Sequence, residues 1–330
     1  MVTPLVDSFG RTHRDLRISI TDRCNFRCTY CMPAEGLQWL PREDVLSFEE
    51  IVRIARLLVE EHGFESIRLT GGEPTVRAHL PELVAQLAAL GVDLSLTTNG
   101  ATLRSLARLL ADAGLRRINI SLDTLRRDRF VEITRRDELA SVLDGIDAAL
   151  EAGLSPVKIN VVAMRGVNDD ELVDFARFGR DTGVVVRFIE FMPLDATGEW
   201  TNGQVVTHAE IVDRIGAVFP LEPLGDVARG SAPAERFRYV DGRGEIGVIA
   251  TVTQSFCASC DRVRLTAEGQ LRSCLFALDH TDLRGLLRGG GTDAELSAAI
   301  SRCVGEKWAG NNVGSVQFIR PSKSMSQLGG

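Results

Sequence analysis

Between residues 16 and 190 the sequence repeats one unit, a short β-rich run followed by an amphipathic helical pattern. The six β-rich runs occupy residues 16–20, 66–70, 93–97, 116–121, 157–162 and 185–190. The helical patterns between them end at glycines, and the first begins with a capping box formed by Ser47 and Glu50. Strands that alternate with helices are joined by right-handed crossovers, so the sequence predicts a parallel sheet.

Polar residues recur at every second position along five of these six runs. Side chains two apart in a strand lie on the same face, so five strands present a polar face. Parallel strands covered on both sides usually read as continuous Val, Ile and Leu, so this face indicates a solvated, ligand-filled interior. The polar positions are Arg17, Ser19, Thr21, Arg68, Thr70, Asp93, Ser95, Thr97, Arg117, Asn119, Ser121, Lys158 and Asn160. The sequence predicts an α/β fold with a partial, six-strand parallel β/α barrel, and a doubly wound sheet is the alternative.

The regular alternation ends after Met192. A stretch rich in Pro, Gly and Ala at residues 220–235 has the composition of a linker, and short β-rich runs follow it around a second group of cysteines. We therefore predict two domains, a barrel over residues 1–224 and a C-terminal region over residues 225–330.

The composition is that of a soluble globular protein, with 44% hydrophobic and 25% charged residues. The first twenty residues do not resemble a signal peptide and no stretch is apolar enough to span a membrane, so we expect a cytoplasmic protein. A net charge of -7 argues against nucleic acid as a partner, although it allows a local basic pocket for one small anion.

Three of the 7 cysteines, Cys24, Cys28 and Cys31, lie close together in a loop after the first strand. In the cytoplasm, clustered thiols more often bind metal or do redox chemistry than form disulfides. A structural zinc site needs four nitrogen or sulfur ligands, and the nearest histidine, His13, precedes the strand. Three cysteines without a fourth favour an iron–sulfur cluster with one iron left open, and zinc is the alternative.

The spacing Cys-x3-Cys-x2-Cys, with Tyr30 before the last cysteine, resembles the signature of the radical S-adenosylmethionine (SAM) superfamily. In that superfamily three cysteines hold a 4Fe–4S cluster, SAM supplies the remaining ligand, and the fold is a partial barrel of six strands. The segments "TGGEP", "SLD" and "FMP" follow further predicted strands, at the edge where barrel active sites are built. The resemblance implies that SAM is bound by Tyr30, Gly72, Ser121 and Met192.

A second triplet, Cys257, Cys260 and Cys274, has the spacing Cys-x2-Cys-x13-Cys. Cys-x2-Cys alone is typical of a zinc ribbon or a redox pair, and Cys303 would complete a zinc site unless it is an ordinary buried thiol. A second iron–sulfur cluster is favoured instead, because the chain also contains the first triplet and because the basic pair Arg262 and Arg264 lies nearby in the sequence. These arginines are two apart on a predicted strand, so both side chains point the same way.

The combination of motifs closely resembles the GTP 3′,8-cyclase family, which acts at the first step of molybdenum cofactor biosynthesis. The matching stretches include "CNFRCTYCMP", "TGGEP", "LTTNG", "GLRRINISLD", "RFIEFMP" and "FCASCDRVRLTAEGQLRSCLF", with a terminal Gly329-Gly330. The resemblance implies two 4Fe–4S clusters and GTP bound at the second. Positions that match the family's GTP contacts are Arg17, Arg68, Thr97, Lys158, Arg262 and Arg264, with Arg187 as a further candidate. Basic residues from four strands would together form a cationic lining suited to a triphosphate.

The resemblance also implies a mechanism and partners. A radical derived from SAM removes the ribose 3′ hydrogen of GTP, and C3′ then bonds to C8 of guanine. Arg262, Arg264, Gly329 and Gly330 are the residues expected to serve catalysis. Expected partners are GTP, a low-potential electron donor of the flavodoxin or ferredoxin type, the downstream cyclic pyranopterin monophosphate synthase, and a second copy of the chain in a homodimer.

Two rival functions remain open on the sequence. Another radical SAM enzyme with an auxiliary cluster, such as a peptide maturase, would share the first triplet but usually carries a longer, cysteine-richer C-terminal array. A non-enzymatic adaptor would use both triplets for structural zinc. Iron and sulfide in the protein exclude the adaptor, and turnover of GTP rather than a peptide excludes the maturase.

Overall fold

A computed structural model describes residues 2–195, 198–225, 229–313, 318–321 and 323–328, and one twelve-stranded sheet organises them. The strands are β1 (Leu5–Val6), β2 (Thr12–His13), β3 (Asp15–Ser19), β4 (Ser66–Thr70), β5 (Asp93–Thr98), β6 (Arg117–Ser121), β7 (Val157–Ala163), β8 (Val185–Glu190), β9 (Leu221–Pro223), β10 (Glu235–Tyr239), β11 (Glu245–Ile249), β12 (Arg262–Leu265), β13 (Gln270–Arg272) and β14 (Thr281–Asp282). The helices are α1 (Phe48–His62), α2 (Leu80–Ala88), α3 (Leu103–Asp112), α4 (Arg127–Thr134), α5 (Leu139–Glu151), α6 (Leu172–Thr182), α7 (His208–Gly216), α8 (Leu283–Arg288), α9 (Asp293–Gly305) and α10 (Met325–Leu328).

The sheet has the strand order β14-β13-β12-β3-β4-β5-β6-β7-β8-β11-β10-β9. The six predicted strands, β3 to β8, are consecutive neighbours and parallel, as the strand–helix alternation predicts. The parallel run is longer than those six strands, because β12 pairs in parallel with β3 and β11 pairs in parallel with β8. The sheet does not close into a barrel, since β14 and β9 end it.

The strand register sets the predicted polar positions side by side across the sheet. Arg264 of β12 lies opposite Arg17 of β3, and Arg17 lies opposite Arg68 of β4. On the far side, Asn160 of β7 lies opposite Arg187 of β8. Parallel pairing in this register therefore collects cations from distant parts of the sequence on one face.

The helices cover the other face of the sheet and form the core with it. In α1, the Ser47 hydroxyl accepts from the Glu50 amide at 3.2 Å and the Glu50 carboxylate accepts from the Ser47 amide at 2.7 Å. This predicted capping box stabilises the helix by about 1 kcal/mol. Ile51 and Ile54 on its inner side are fully buried, and each contributes roughly 2 kcal/mol through burial. Among the described residues, no helix has the length and apolar character needed to cross a membrane.

The region after residue 225 supplies strands to both edges of the parallel run. β11 adds to β8, and β12 adds to β3 and continues into the antiparallel pairs with β13 and β14. The division into domains 1–224 and 225–330 stays a prediction.

Candidate active site

The first cavity lies at the carboxyl ends of the parallel strands, where the loop after β3 carries the first cysteine triplet. It is lined by Cys24, Cys28, Cys31, Tyr30, Gly72, Ser121 and Met192, among others. All three thiols are free and half-buried. The cavity therefore brings together one cysteine triplet and every residue predicted to bind SAM.

Gly71 and Gly72 allow the "TGGEP" segment to pack tightly on the loop that carries Cys24. A Cβ atom on Gly72 would lie 2.4 Å from the carbonyl oxygens of both Asp22 and Arg23, and one on Gly71 would lie 2.5 Å from the Thr21 oxygen. The Gly72 amide donates to the Thr21 oxygen at 2.7 Å. These two glycines thus bring the protein's own backbone into close contact, a requirement that the sequence pattern alone did not reveal.

Carboxylates and burial dominate the electrostatics of the first triplet. Burial and the nearby Glu73 raise the pKa of Cys24 to about 12. Burial, Cys31 and Asp123 raise the pKa of Cys28 well above its usual value. Burial raises the pKa of Cys31 to about 11, although hydrogen bonding by Ser326 opposes it. Without a metal these thiols stay protonated near neutral pH, so a cluster would have to displace their protons.

Asp123 fixes the Tyr30 side chain at the wall of the first cavity. The Tyr30 hydroxyl donates to Asp123 Oδ2 at 2.6 Å, and the Val162 amide donates to Oδ1 at 2.8 Å. Burial raises the pKa of Asp123 to about 6, and these two hydrogen bonds oppose the rise. The aromatic residue before the last cysteine is therefore anchored to β6 and β7.

Glu73 lines the same cavity and joins two strand ends. Its carboxylate accepts from the Thr75 hydroxyl and the Thr98 hydroxyl at 2.6 Å each, and from the Asn99 amide at 2.6 Å. Burial raises the pKa of Glu73, opposed by its hydrogen bond from Thr75. Only 1% of this residue is exposed, and its bonds tie the ends of β4 and β5 together.

The second cavity holds the second cysteine triplet and a group of arginines. Its lining includes Cys257, Cys260, Cys274, Arg17, Arg68, Arg187, Arg262, Arg264 and Thr97. Arg262 and Arg264 are two apart on β12 and both reach it, as predicted. Arg262 Nη2 donates to Cys260 Sγ at 3.3 Å, and its guanidinium lies 4.6 Å from the centre of the Phe256 ring.

The arginines of the second cavity are buried against one another. Burial and the neighbouring guanidiniums lower the pKa of Arg17 to about 9, and burial, Arg17 and Arg262 lower that of Arg264 to about 9. Although burial opposes it, these guanidiniums lower the pKa of Asp15 beneath them. The Nε atoms of Arg17 and Arg262 are buried and have no hydrogen-bond partner in the part of the chain that the structure describes. An anionic ligand would accept hydrogen bonds from these buried donors and would reduce the repulsion between the crowded cations.

Arg187 is held in place by amide side chains. Its Nη2 donates to Asn119 Oδ1 and to Asn160 Oδ1, both at 2.6 Å. Burial lowers the pKa of Arg187 to about 9, with Arg17 and Arg117 as further causes. Neutral partners orient the guanidinium without cancelling its charge.

The two cavities share a wall. The residues that line both are Thr97, Asn160, Ile189, Met192 and Met325. Met325 belongs to α10 near the end of the chain, and its amide donates to the Leu194 oxygen at 3.3 Å. A ligand in one cavity would therefore lie next to a ligand in the other.

Lys158 does not line either cavity; it lies on β7, two residues before Asn160, and its pKa is lowered to about 8 by burial and Arg187. Cys303 is buried in the main hydrophobic core, with Sγ 3.6 Å from the Leu271 oxygen. Gly329 and Gly330 lie outside the described residues.

Sequence reasoning missed several residues of the site. Asp123 belongs to the segment "SLD", and Asn160 is one of the alternating polar residues of a predicted strand. Their contacts with Tyr30 and Arg187, however, depend on strand pairing. Lys307, whose ammonium group lies beside Cys260, comes from a segment with no recognisable motif. The scarcity of lysine, three residues in the chain, was the available signal for it.

The donor sets fit iron–sulfur clusters. Each cavity offers three thiols, which is one fewer than the four protein ligands that a 4Fe–4S cluster commonly has. Throughout the described part of the chain, no three His, Cys, Asp or Glu side chains gather closely enough to hold a single metal ion. A multinuclear cluster spreads its ligands over several iron atoms, whereas a structural zinc ion needs four nitrogen or sulfur ligands on one metal, and each cavity offers three thiols.

Comparison with known proteins gives two family matches and many relatives. Residues 18–179 match the radical SAM superfamily, and residues 184–313 match the family described as Molybdenum Cofactor Synthesis C. A GTP 3′,8-cyclase of Streptomyces coelicolor is 48% identical over 99% of this chain and 96% of that protein. A GTP 3′,8-cyclase of Corynebacterium glutamicum is 47% identical over 99% of this chain and 89% of that protein.

Among solved structures, the chain resembles SuiB of Streptococcus suis. The form bound to S-adenosylmethionine has a TM-score of 0.59 at 16% identity, with 94% of this chain and 77% of that chain covered. The form bound to the precursor peptide SuiA has a TM-score of 0.61 at 16% identity, with 94% and 75% covered. At this identity the likeness concerns the fold alone.

Proposed function

Because this chain belongs to the GTP 3′,8-cyclase family, we propose that it converts GTP to (8S)-3′,8-cyclo-7,8-dihydroguanosine 5′-triphosphate, the first step of molybdenum cofactor biosynthesis. The observation that carries the proposal is the pair of cavities, each lined by three free thiols, that share a wall. Such an arrangement sets a radical-generating site directly beside a substrate site.

The first cavity is the site for SAM. Cys24, Cys28 and Cys31 would hold a 4Fe–4S cluster, and the open iron would take SAM. Tyr30, Gly72, Ser121 and Met192 would bind the rest of that molecule. Asp123 would keep the Tyr30 ring in position through the hydrogen bond at 2.6 Å.

The second cavity is the site for GTP. Cys257, Cys260 and Cys274 would hold the second 4Fe–4S cluster. The region after the partial barrel would thus be an auxiliary-cluster region. The GTP-binding residues would be Arg17, Arg68, Thr97, Arg187, Arg262 and Arg264, with Lys158 acting on the phosphates from below the cavity. The unsatisfied Nε atoms of Arg17 and Arg262 give two donors for the substrate.

When bound, the cofactors would supply one-electron cleavage of SAM and the radical that takes the 3′ hydrogen of GTP to form 5′-deoxyadenosine; C3′ would then bond to C8 of guanine, and one further electron and proton would complete the product. The chain's own residues contribute position and shelter. The arginines hold the triphosphate in the orientation that brings the ribose toward the shared wall, where Thr97 and Met192 lie. No general base or nucleophile of the protein is required.

The end of the chain covers this region. Leu328 of α10 is 1% exposed and packs with Leu194 and Phe276, which follow β8 and Cys274 respectively. Gly329 and Gly330 would serve turnover, as the resemblance implies. A cover that excludes water protects a radical from side reactions.

The partners and compartment follow from the same proposal. The enzyme would receive electrons from a flavodoxin- or ferredoxin-type donor and pass its product to a cyclic pyranopterin monophosphate synthase. It would act in the cytoplasm as a homodimer, with no nucleic acid or membrane as a partner.

Product analysis after anaerobic reconstitution with iron and sulfide tests the function. With SAM, GTP and a low-potential reductant, we expect 5′-deoxyadenosine and the cyclised nucleotide to form together. Formation of 5′-deoxyadenosine with a peptide but not with GTP would replace the proposal by the peptide-maturase alternative. SuiB bound to its precursor peptide has the same fold, so product analysis rather than the fold distinguishes the two functions.

A further inference from the structure

Lys307 is a buried lysine that neither the sequence motifs nor the proposed chemistry uses. It follows α9 and is 3% exposed. The chain has only three lysines among its 38 Lys and Arg residues, so a lysine at a buried position is unusual for this protein. Fully buried lysines are rare in proteins unless their charge has a partner.

The ammonium group of Lys307 contacts the second cysteine triplet. Nζ donates to the Arg262 oxygen at 2.7 Å and to the Cys260 oxygen at 3.4 Å, and it lies 3.5 Å from Cys260 Sγ. Three donors on one tetrahedral nitrogen can point to three separate acceptors.

The charge of Lys307 has no carboxylate partner among the residues that the structure describes. In the described ranges, no Asp or Glu oxygen lies within 4.0 Å of Nζ, and no ion pair of this lysine occurs. Burial lowers the pKa of Lys307; the thiols of Cys260 and Cys274 oppose this shift by favouring the positive charge, and the guanidiniums of Arg262 and Arg11 add to it. An uncompensated buried ammonium costs several kcal/mol, so the thiolates of a loaded metal site are its natural counter-charge.

Arg11 fixes the segment that carries Lys307. Its guanidinium donates to the Cys257 oxygen at 2.8 Å, to the Trp308 oxygen at 2.6 Å and to the Ala309 oxygen at 3.0 Å. Asp7 in turn accepts from Arg11 Nε at 2.6 Å. The N-terminal segment thus clamps the backbone beside Lys307 to the loop of the second triplet, so the ammonium group has little freedom to leave Cys260.

We propose that Lys307 is a positioning residue of the second cluster, where its ammonium donates a hydrogen bond to the Cys260 thiolate and its fixed charge makes that cluster easier to reduce. This inference rests on the second cluster of the proposed function. Net charge and hydrogen bonds to the sulfurs set the reduction potential of an iron–sulfur cluster, and a positive charge favours the reduced form, which carries one more electron.

The test isolates the second cluster. In a background of Cys24→Ala, Cys28→Ala and Cys31→Ala, the reconstituted full chain should hold one cluster only. Redox titration followed by electron paramagnetic resonance then compares Lys307→Met, Lys307→Arg and the unchanged lysine. Arg302→Met is the matched control, because it removes one positive charge from an exposed position on the preceding helix α9.

At a fixed applied potential, Lys307→Met should lower the ratio of reduced to oxidised cluster on the order of tenfold, the effect of one charge-assisted hydrogen bond. Lys307→Arg should recover part of the loss, and Arg302→Met should change the ratio by less than about twofold. An unchanged ratio in a fully loaded Lys307→Met protein would overturn the role of Lys307 while leaving the second cluster intact.

Iron content and circular dichroism cover the remaining outcomes. If Lys307→Met folds but takes up no iron while Lys307→Arg does, the charge requirement is supported. If neither variant takes up iron, a side-chain fit rather than the charge is decisive, and the proposal fails. If the triple-cysteine background itself holds no iron, the second cluster of the proposed function fails, and this inference fails with it.

Discussion

The two cysteine triplets have the same number of thiols but opposite electrostatic surroundings. The first lies among carboxylates, with Glu73 acting on Cys24 and Asp123 on Cys28. The second lies among cations, with Arg262 and Lys307 donating to Cys260 Sγ. The type of ligand alone therefore does not decide what a cluster does. Negative surroundings favour a strongly reducing cluster. Positive surroundings favour a cluster that holds an anionic substrate beside it.

Removing one cysteine from each triplet should have the largest effect. Cys28→Ala should reduce 5′-deoxyadenosine formation to background, because the proposed function assigns SAM cleavage to the first cluster. Cys274→Ala should abolish the cyclised nucleotide but leave SAM cleavage detectable. Quantifying both products by liquid chromatography checks the comparison, and Cys303→Ala is the control with a thiol outside both cavities. Loss of SAM cleavage in both variants to the same degree would mean that the triplets act as one site.

Thiol reactivity in the metal-free protein should show the electrostatic contrast directly. Although burial opposes it, Arg262 and Lys307 lower the pKa of Cys260 to about 7, whereas burial, with Asp123 as a smaller cause, raises the pKa of Cys31 to about 11. At pH 7.5 most of Cys260 is thiolate and very little of Cys31 is. After allowance for the weaker nucleophilicity of a low-pKa thiolate, Cys260 should be alkylated roughly fiftyfold faster.

Iodoacetamide labelling followed by peptide mass spectrometry measures this difference. Lowering the pH from 7.5 to 6 should slow the Cys260 reaction, since the sulfur becomes protonated below its pKa. Equal labelling rates for the two cysteines would contradict the assignment of cationic and acidic surroundings.

Arg17→Met should weaken the second site without weakening the first. Arg17 is 7% exposed, and its Nε has no hydrogen-bond partner among the described residues. A charge-assisted hydrogen bond to phosphate is worth about 1.5–3 kcal/mol, so GTP affinity should fall roughly thirtyfold. Anaerobic equilibrium dialysis with GTP and with SAM measures both affinities. Arg14→Met, an exposed arginine paired with Glu65, is the control and should change neither. A matching loss of SAM affinity in Arg17→Met would show that the arginines serve both cavities.

Asp123→Asn and Tyr30→Phe should each produce a smaller effect, confined to the first site. Asn would face the Tyr30 hydroxyl with a donor where Asp123 Oδ2 now accepts, and Phe lacks the hydroxyl altogether. Either change should weaken SAM binding roughly fivefold. The double variant should be no worse than the single ones, because both remove the same bond. Additive losses, or a lower GTP affinity, would contradict a local positioning role.

Much of the fold was predictable from local patterns, and the departures have a common cause. The capping box at Ser47 and Glu50 and the run of parallel strands from β3 to β8 are confirmed. The predicted six-strand run omitted β11 and β12, because short strands after a linker-like stretch do not reveal their pairing partners. The family prediction is also confirmed, since a GTP 3′,8-cyclase is 48% identical to this chain over 99% of its length.

The candidate site divides in the same way. The six clustered cysteines and the β12 arginines could be chosen from spacing, and the cavities do contain them. The contacts of Asp123, Asn160 and Lys307 could not, because each side chain meets a partner from a distant part of the sequence.

The sequence by itself determined the thiol triplets, the alternation of strand and helix, and the side of each strand that is polar, because these depend on residues a few positions apart. Only the tertiary structure decided that the triplets share a wall and that one is surrounded by carboxylates and the other by cations. The reason is that β12 pairs beside β3, which joins residues about 245 positions apart, and such long-range pairing is set by the packing of the whole sheet.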